Sequence, residues 1–176
     1  DNDNKAYFYD LNTKINYRID DRNSVFFSGY FGEDVFGIND SFVNTYGNKV
    51  GNLRWNHLFS DKLFSNLSLI YSDYFYGLTL DFVGFEWDSG ITNYNLKYDF
   101  NHYLSDKIKL SYGINNIYTK FNPGEILPNR EDSGIQPEKL IDKYANEFAA
   151  YLEAEHKVND KLTLQYGARF SNFRRL

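Results

Sequence analysis

The stretch NYNLKYDFNHYLSDKIKLSYGI, residues 93–114, decides the fold. Up to its turn, Tyr94, Leu96, Tyr98, Phe100, His102 and Leu104 take alternate positions. Asn93, Asn95, Lys97, Asp99 and Asn101 fill the positions between them. Past Asp106-Lys107, Leu110, Tyr112 and Ile114 alternate with Lys109, Ser111 and, one step further, Asn115. Successive side chains of a strand point to opposite faces, so this is a hairpin with one apolar and one polar face.

Its centre, NHYLSDKI (101–108), has a near-copy in NHLFSDKL (56–63) and a looser one in EHKVNDKL (155–162). A degenerate fourth copy is YRIDDRNSV (17–25). Tyr17, His57, His102 and His156 are then equivalent, as are Asp21, Asp61, Asp106 and Asp160. These aspartates lie 40, 45 and 54 residues apart. A varying period argues against a solenoid and for hairpins with constant turns at one end and variable connections at the other.

The alternation extends outward from each copy. Tyr7 to Ile19 in steps of two, Leu53-Trp55-His57 and Phe148-Ala150-Leu152-Ala154 precede turns, and Leu67-Leu69-Tyr71 and Leu162-Leu164-Tyr166 follow them. Asn, Lys, Arg and Glu fill the intervening positions, giving about eight strands. SVFFSGYFG (24–32) is apolar on both faces, and parity places Val25, Phe27, Gly29 and Phe31 with the apolar set. Residues 137–158 carry helix-favouring composition and a Pro suited to a first turn. The octet at the end of that segment argues for a strand from about 144, with a short helix expected at 137–142.

Composition narrows the class. The 176 residues include 16 Phe and 16 Tyr, aromatics reach 19%, and yet the mean hydropathy is negative, as two-faced strands require. The net charge of −5 argues against a nucleic-acid partner. With no Cys, disulfides and thiolate metal sites are excluded. No apolar run is long enough for a transmembrane helix. Strand patterns begin and end almost at the termini, so the chain reads as a segment of a longer protein.

Strands of roughly 12 residues or more exceed the mean of about 5–6 in globular proteins and suit the 9–11 needed to cross a bilayer. Short Asp-Lys turns oppose connections expected as loops at about 33–48, 75–89 and 121–143. That asymmetry, with a continuous polar face, predicts an all-β antiparallel transmembrane barrel wall. A soluble all-β protein or a complete eight-stranded barrel are the alternatives. Leu69, Leu110 and Leu164 are expected to face lipid near the midplane.

SDKLFSNLSLIYSDYFYG, ITNYNLKYDFNHYLSDKIKLSYGINNIYTKFNPG and DKLTLQYGARFSNF resemble barrel hairpins of TonB-dependent outer-membrane transporters. The resemblance covers nearly the whole chain. It implies that residues 1–176 are part of one barrel domain of 22 strands in the outer membrane of a Gram-negative bacterium, with plug and TonB box lying outside this chain. It further implies uptake of a glycan, peptide, iron chelate or cobalamin. Partners would be outer-membrane lipid, the plug, TonB and, at the surface, a lipoprotein or other complex subunits. No cofactor is implied. The competing functions are an accessory barrel of a secretion or surface-assembly complex and an outer-membrane hydrolase.

Three groups of residues carry candidate chemistry. His57, His102 and His156 share the apolar face on every second strand, hence about 10 Å apart, too far to share one ion whose ligands sit at about 2 Å. With Tyr17 they suit an interfacial girdle. On the polar face, Glu147, Glu153 and Glu155 accompany Arg54, Lys97 and Arg169, and bridging to these cations or to a plug is expected. No catalytic triad or nucleophile elbow accompanies them, which argues against an enzyme. In the expected loops, Phe36, Phe42, Tyr46, Tyr76, Phe82, Phe85 and Trp87 interleave with Asp and Asn, a composition suited to ligand contact. Asn39-Asp40-Ser41 and Asn66-Leu67-Ser68 match glycosylation sequons, which carry little meaning in a bacterial barrel.

Overall fold

The computed structural model describes residues 4–39 and 41–176, so the first sequon's Asp40 lies outside the described residues. Among the described residues nine strands form one antiparallel sheet: β1 (Lys5–Arg18), β2 (Asn23–Ile38), β3 (Phe42–Ser60), β4 (Leu63–Leu80), β5 (Phe85–Ser105), β6 (Ile108–Pro128), β7 (Glu138–Lys139), β8 (Lys143–Asn159) and β9 (Leu162–Arg175). The eight long strands pair in chain order, and the two-residue β7 pairs with the far end of β6. Among the described residues only β4 and β5 are joined through a helical turn, the 3₁₀ segment Asp81–Val83.

Cross-strand partners share a face, so the register tests the parity reading. Val25 pairs with Tyr17 and Trp55, Leu53 with Leu69, Leu69 with Leu96, Tyr98 with Ile114 and Ile114 with Ala150. One apolar face therefore runs from β1 to β9, interrupted at Asn116, and Val25, Phe27, Gly29 and Phe31 belong to it as parity predicted. Nothing covers it among the described residues: Leu11 is 62% exposed, Ile15 56% and Leu69 46%. The buried apolar residues are Val35, Ala149 and Ala154, far too few for a core. A sheet with a stripped apolar face needs a second layer or a lipid solvent.

The register also measures the inclination of the strands. The rung through Tyr17 and Val25 reaches Trp55, two residues short of His57. The rung through His57 and Ser65 reaches Phe100, two short of His102. The rung through His102 and Leu110 reaches Ala154, two short of His156. Two residues along a strand, about 6.6 Å, against two strand spacings, about 9.6 Å, put the strands at about 35° to the normal of the plane joining the octets. Transmembrane barrels tilt by about 35–45°. Each residue then climbs about 2.7 Å above that plane.

Three expectations are corrected. The connections at 33–48 and 75–89 are not loops, because β2 runs to Ile38, β3 starts at Phe42, β4 runs to Leu80 and β5 starts at Phe85, and β6 likewise continues into 121–143 as far as Pro128. The longest irregular segment lies between Pro128 and Lys143. The strands thus run 16–21 residues in β2 to β6, longer than the roughly 9–11 that a bilayer crossing takes. The helix expected at 137–142 is absent as well. Glu138 and Lys139 instead pair with Ile126 and Glu125, and Lys139 Nζ meets Glu125 Oε2 at 3.0 Å. The projecting end of β6 supplies hydrogen-bond partners that outweigh local helix propensity. The expectation that Leu110 and Leu164 share the depth of Leu69 is corrected as well. Leu69 stands about 13 Å above the octet plane, whereas Leu110 and Leu164 are within about 3 Å of it.

Candidate functional site

The repeated octet builds a turn cassette. Asp61-Lys62, Asp106-Lys107 and Asp160-Lys161 are the two central residues between the pairs Ser60–Leu63, Ser105–Ile108 and Asn159–Leu162. Each lysine N–H is capped two residues back, by Ser60 Oγ at 3.3 Å, Ser105 Oγ at 3.3 Å and Asn159 Oδ1 at 2.9 Å. A bulge precedes each turn. The N–H groups of Leu58, Tyr103 and Lys157 donate to the carbonyls of Arg22, Lys62 and Lys107 in the neighbouring hairpin, each at 2.8 Å. The first three turns are thereby each locked to the strand that descends to the following turn, which accounts for the repetition. In the first turn, Asp20 accepts from the Arg22 N–H at 2.7 Å, and this bond, aided by the Asn23 side chain, holds its carboxyl below its ordinary pKa.

His57 and Trp55 both bond Asn23 Oδ1, at 2.7 and 3.0 Å. The indole N–H only donates, so the shared atom is an acceptor and His57 Nδ1 donates to it as well. The His57 ring meets Phe59 at 4.4 Å and Trp55 at 5.2 Å, and Phe100 stacks on Tyr112 at 5.1 Å. An aromatic row thus lies at the turn end of the apolar face. His57, His102 and His156 stand on β3, β5 and β8, with one strand between each pair, and Tyr17 stands on β1. On the same face the composition turns polar about 22–27 Å higher, at Lys49, Asp73, Thr92 and Asn146, with Tyr94 and Tyr118 at the boundary. Outer-membrane barrels carry an apolar band about 25 Å tall between aromatic girdles.

The opposite face carries Arg54, Lys97, Glu147, Glu153 and Arg169, with Arg54, Ser68, Lys97 and Asn115 on one rung. Among the described residues the cations find partners other than the three glutamates. Arg54 lies 4.6 Å over the Phe26 ring, Lys97 pairs with Asp99 at 3.1 Å, and Arg169 donates to Ser171 Oγ at 3.3 Å. Tyr151 OH crosses β6 to Asp99 at 2.7 Å. Gly113 permits the crossing, since a Cβ there would lie 3.0 Å from the Tyr151 ring. Asn52, Asn56, Asn95 and Asn115 each bury an Oδ1 without a protein partner, and Arg54 buries an unpartnered Nε. Such groups cost about 1–3 kcal/mol each unless met by water or a polar surface. This face is built to be covered by something polar.

Above the band the polarity of the two faces reverses. Phe36, Phe42, Tyr46, Tyr76, Phe85 and Trp87 all share the face of Arg54 and Lys97. Tyr46 pairs with Tyr76, Leu78 with Trp87 and Leu80 with Phe85. Phe36 and Phe42 touch edge-to-face at 6.2 Å. Phe82 alone departs from this face, exposed in the 3₁₀ turn. The other face of the extensions bears Glu33, Lys49, Asp73, Glu86 and Asp88. Asp88, beyond the apolar band, has its carboxyl raised first by burial and then by Glu125. The ring of Trp87 lies where a Cβ on Gly124 would fall, and Gly124 holds φ at +145°. The N–H of Gly124 donates to Asn122 Oδ1 at 3.1 Å within the bulge that FNPG creates in β6.

Sequence reading missed Leu78, Leu80 and Ile126 on the aromatic face and the bond from Tyr151 to Asp99. The FNPG stretch was the available signal for the seat of Trp87.

No protein-family model matches the sequence, and no curated protein matches it. Among solved structures, BauA, the ferric preacinetobactin receptor from Acinetobacter baumannii, matches over 96% of this chain and 34% of its own, with a TM-score of 0.70 and 12% identity. The copper transporter OprC matches over 96% of this chain and 29% of its own, with a TM-score of 0.69 and 11% identity. The chain therefore has the fold of a barrel-wall segment. It spans about a third of each of those proteins.

Proposed function

We propose that residues 1–176 are part of the wall of a 22-stranded outer-membrane barrel that imports a nutrient under TonB control, with a plug against its polar face. The reversal of polarity about 22–27 Å above the octet plane carries this reading. Below that height one face suits lipid and the other suits a wet or plugged lumen. Above it the inward face offers aromatic side chains to a ligand approaching from outside. The girdle role of Tyr17, His57, His102 and His156 follows from the same geometry. Contact of Phe36, Phe42, Tyr46, Tyr76, Phe85 and Trp87 with ligand follows as well, as does contact of Arg54, Lys97, Glu147, Glu153 and Arg169 with the plug. The likeness to BauA and OprC supports the barrel.

The test uses full-length protein in intact outer membranes. A cysteine replacing Asn95 should resist a bulky water-soluble thiol reagent, because the plug covers it, while one replacing Thr45 should react. Rapid reaction at both positions would mean an open lumen, as an accessory barrel would have.

A further inference from the structure

The apolar face is not flat. Gly29 and Gly51 pair side by side, and the same rung continues through Tyr71, Tyr94 and Tyr118. Beside the glycine step lies a groove of about 430 Å³ whose walls include Leu53, Leu69, Leu96, Tyr71 and Tyr94. A Cβ on Gly51 would meet nothing within 4 Å, so the depression is open. It sits about 11–22 Å above the octet plane, in the upper half of the apolar band.

Lys49 stands two residues above Gly51 on the same strand and face. Its ammonium lies 5.1 Å from the Phe75 ring and 5.9 Å from the Phe31 ring. Its cross-strand neighbour Asp73 accepts from Thr92 Oγ1 at 2.9 Å. Among the described residues Lys49 makes no ion pair. An apolar slot, tyrosines along its upper rim and a cation at the level where headgroups begin are arranged in the order of a lipid's own parts.

We propose that this groove binds one acyl chain of an anionic outer-leaflet lipid, with the lipid phosphate against Lys49. This rests on the reading that the apolar face meets the membrane. The slot takes methylenes by close van der Waals packing, since the surrounding lipid tails are already as apolar as its leucines. The cation selects a phosphate at fixed height above them, and a polar solute would leave the leucine walls uncovered.

The full-length protein is reconstituted with phosphatidylglycerol, moved into detergent and weighed by native mass spectrometry. One phosphatidylglycerol should survive the transfer. Gly51→Leu, which fills the slot, and Lys49→Gln, which removes the charge, should each lower the retained fraction by about tenfold. If the unaltered protein sheds all lipid, or both variants retain it equally, the lipid is annular only and the proposal is overturned with the membrane reading intact. Ile114→Arg, at mid-depth on the same face and outside the groove, tests that reading separately. Assembly of this variant into vesicles as efficient as that of the unaltered protein would overturn both.

Discussion

Within the apolar band, β3 turns Leu53 and Trp55 outward and Asn52 and Arg54 inward. Some ten residues further along the same strand it turns Thr45 outward and Phe42 and Tyr46 inward. The alternation never breaks, but its polarity inverts. The backbone is the same in both regions, so the difference lies in what each face meets. On the proposed reading, lipid on the outside demands apolar residues at one height and tolerates charge above it. The inner face carries amides and ions at the first height and aromatic and aliphatic side chains at the second.

The largest effect should break this comparison if it is wrong. Leu69→Arg, near the midplane, should cost about 2–4 kcal/mol in folding into lipid, whereas Thr45→Arg, on the same face above the band, should cost about 0–1. Equal costs in a denaturant titration in vesicles would refute the boundary. Gly124→Ala forces a Cβ into the Trp87 ring at a backbone conformation L residues rarely adopt, at a cost of about 1–3 kcal/mol. Its signature should be a changed Trp87 environment in near-ultraviolet circular dichroism, with far-ultraviolet strand signal retained. Loss of the strand signal would mean that the two regions are one cooperative unit.

Tyr151→Phe should lower stability by about 0.5–1.5 kcal/mol by removing the hydroxyl that Asp99 accepts. The double variant with Asp99→Asn should show non-additivity, and strict additivity would deny the bond. The smallest effect concerns the first turn. The Asp20 carboxyl is depressed by the Arg22 N–H, so its contribution is present above its ordinary pKa of about 3.9 and is lost as pH falls through the depressed value. Asp20→Asn should flatten that acid limb slightly, and an unchanged limb would show that the turn is indifferent to this charge.

Several features were legible because they are local. The faces of β3, β5 and β8 follow from alternation alone, and the Ser/Asn-Asp-Lys turns follow from side chains that cap a backbone N–H two residues on. The extensions were not legible. Where Phe36, Tyr46 and Trp87 move to the face that carries Arg54 and Lys97 below, no single apolar face continues, and the stretch reads as loop. The segment at 137–142 misled for a related reason, since its preference for helix is local and the edge of β6 that overrides it is not.

By itself the sequence determined that the chain alternates, where it turns and which residues share a face, because side-chain direction repeats every two residues whatever the neighbours are. Only the tertiary structure decided the register. The bulge before each turn and the bond from Leu58, Tyr103 or Lys157 to the preceding hairpin set each strand against the next. Their repeated two-residue offset inclines the strands, brings the octets to one height and so defines where the apolar band ends. That offset is a relation between strands, and no strand carries it alone.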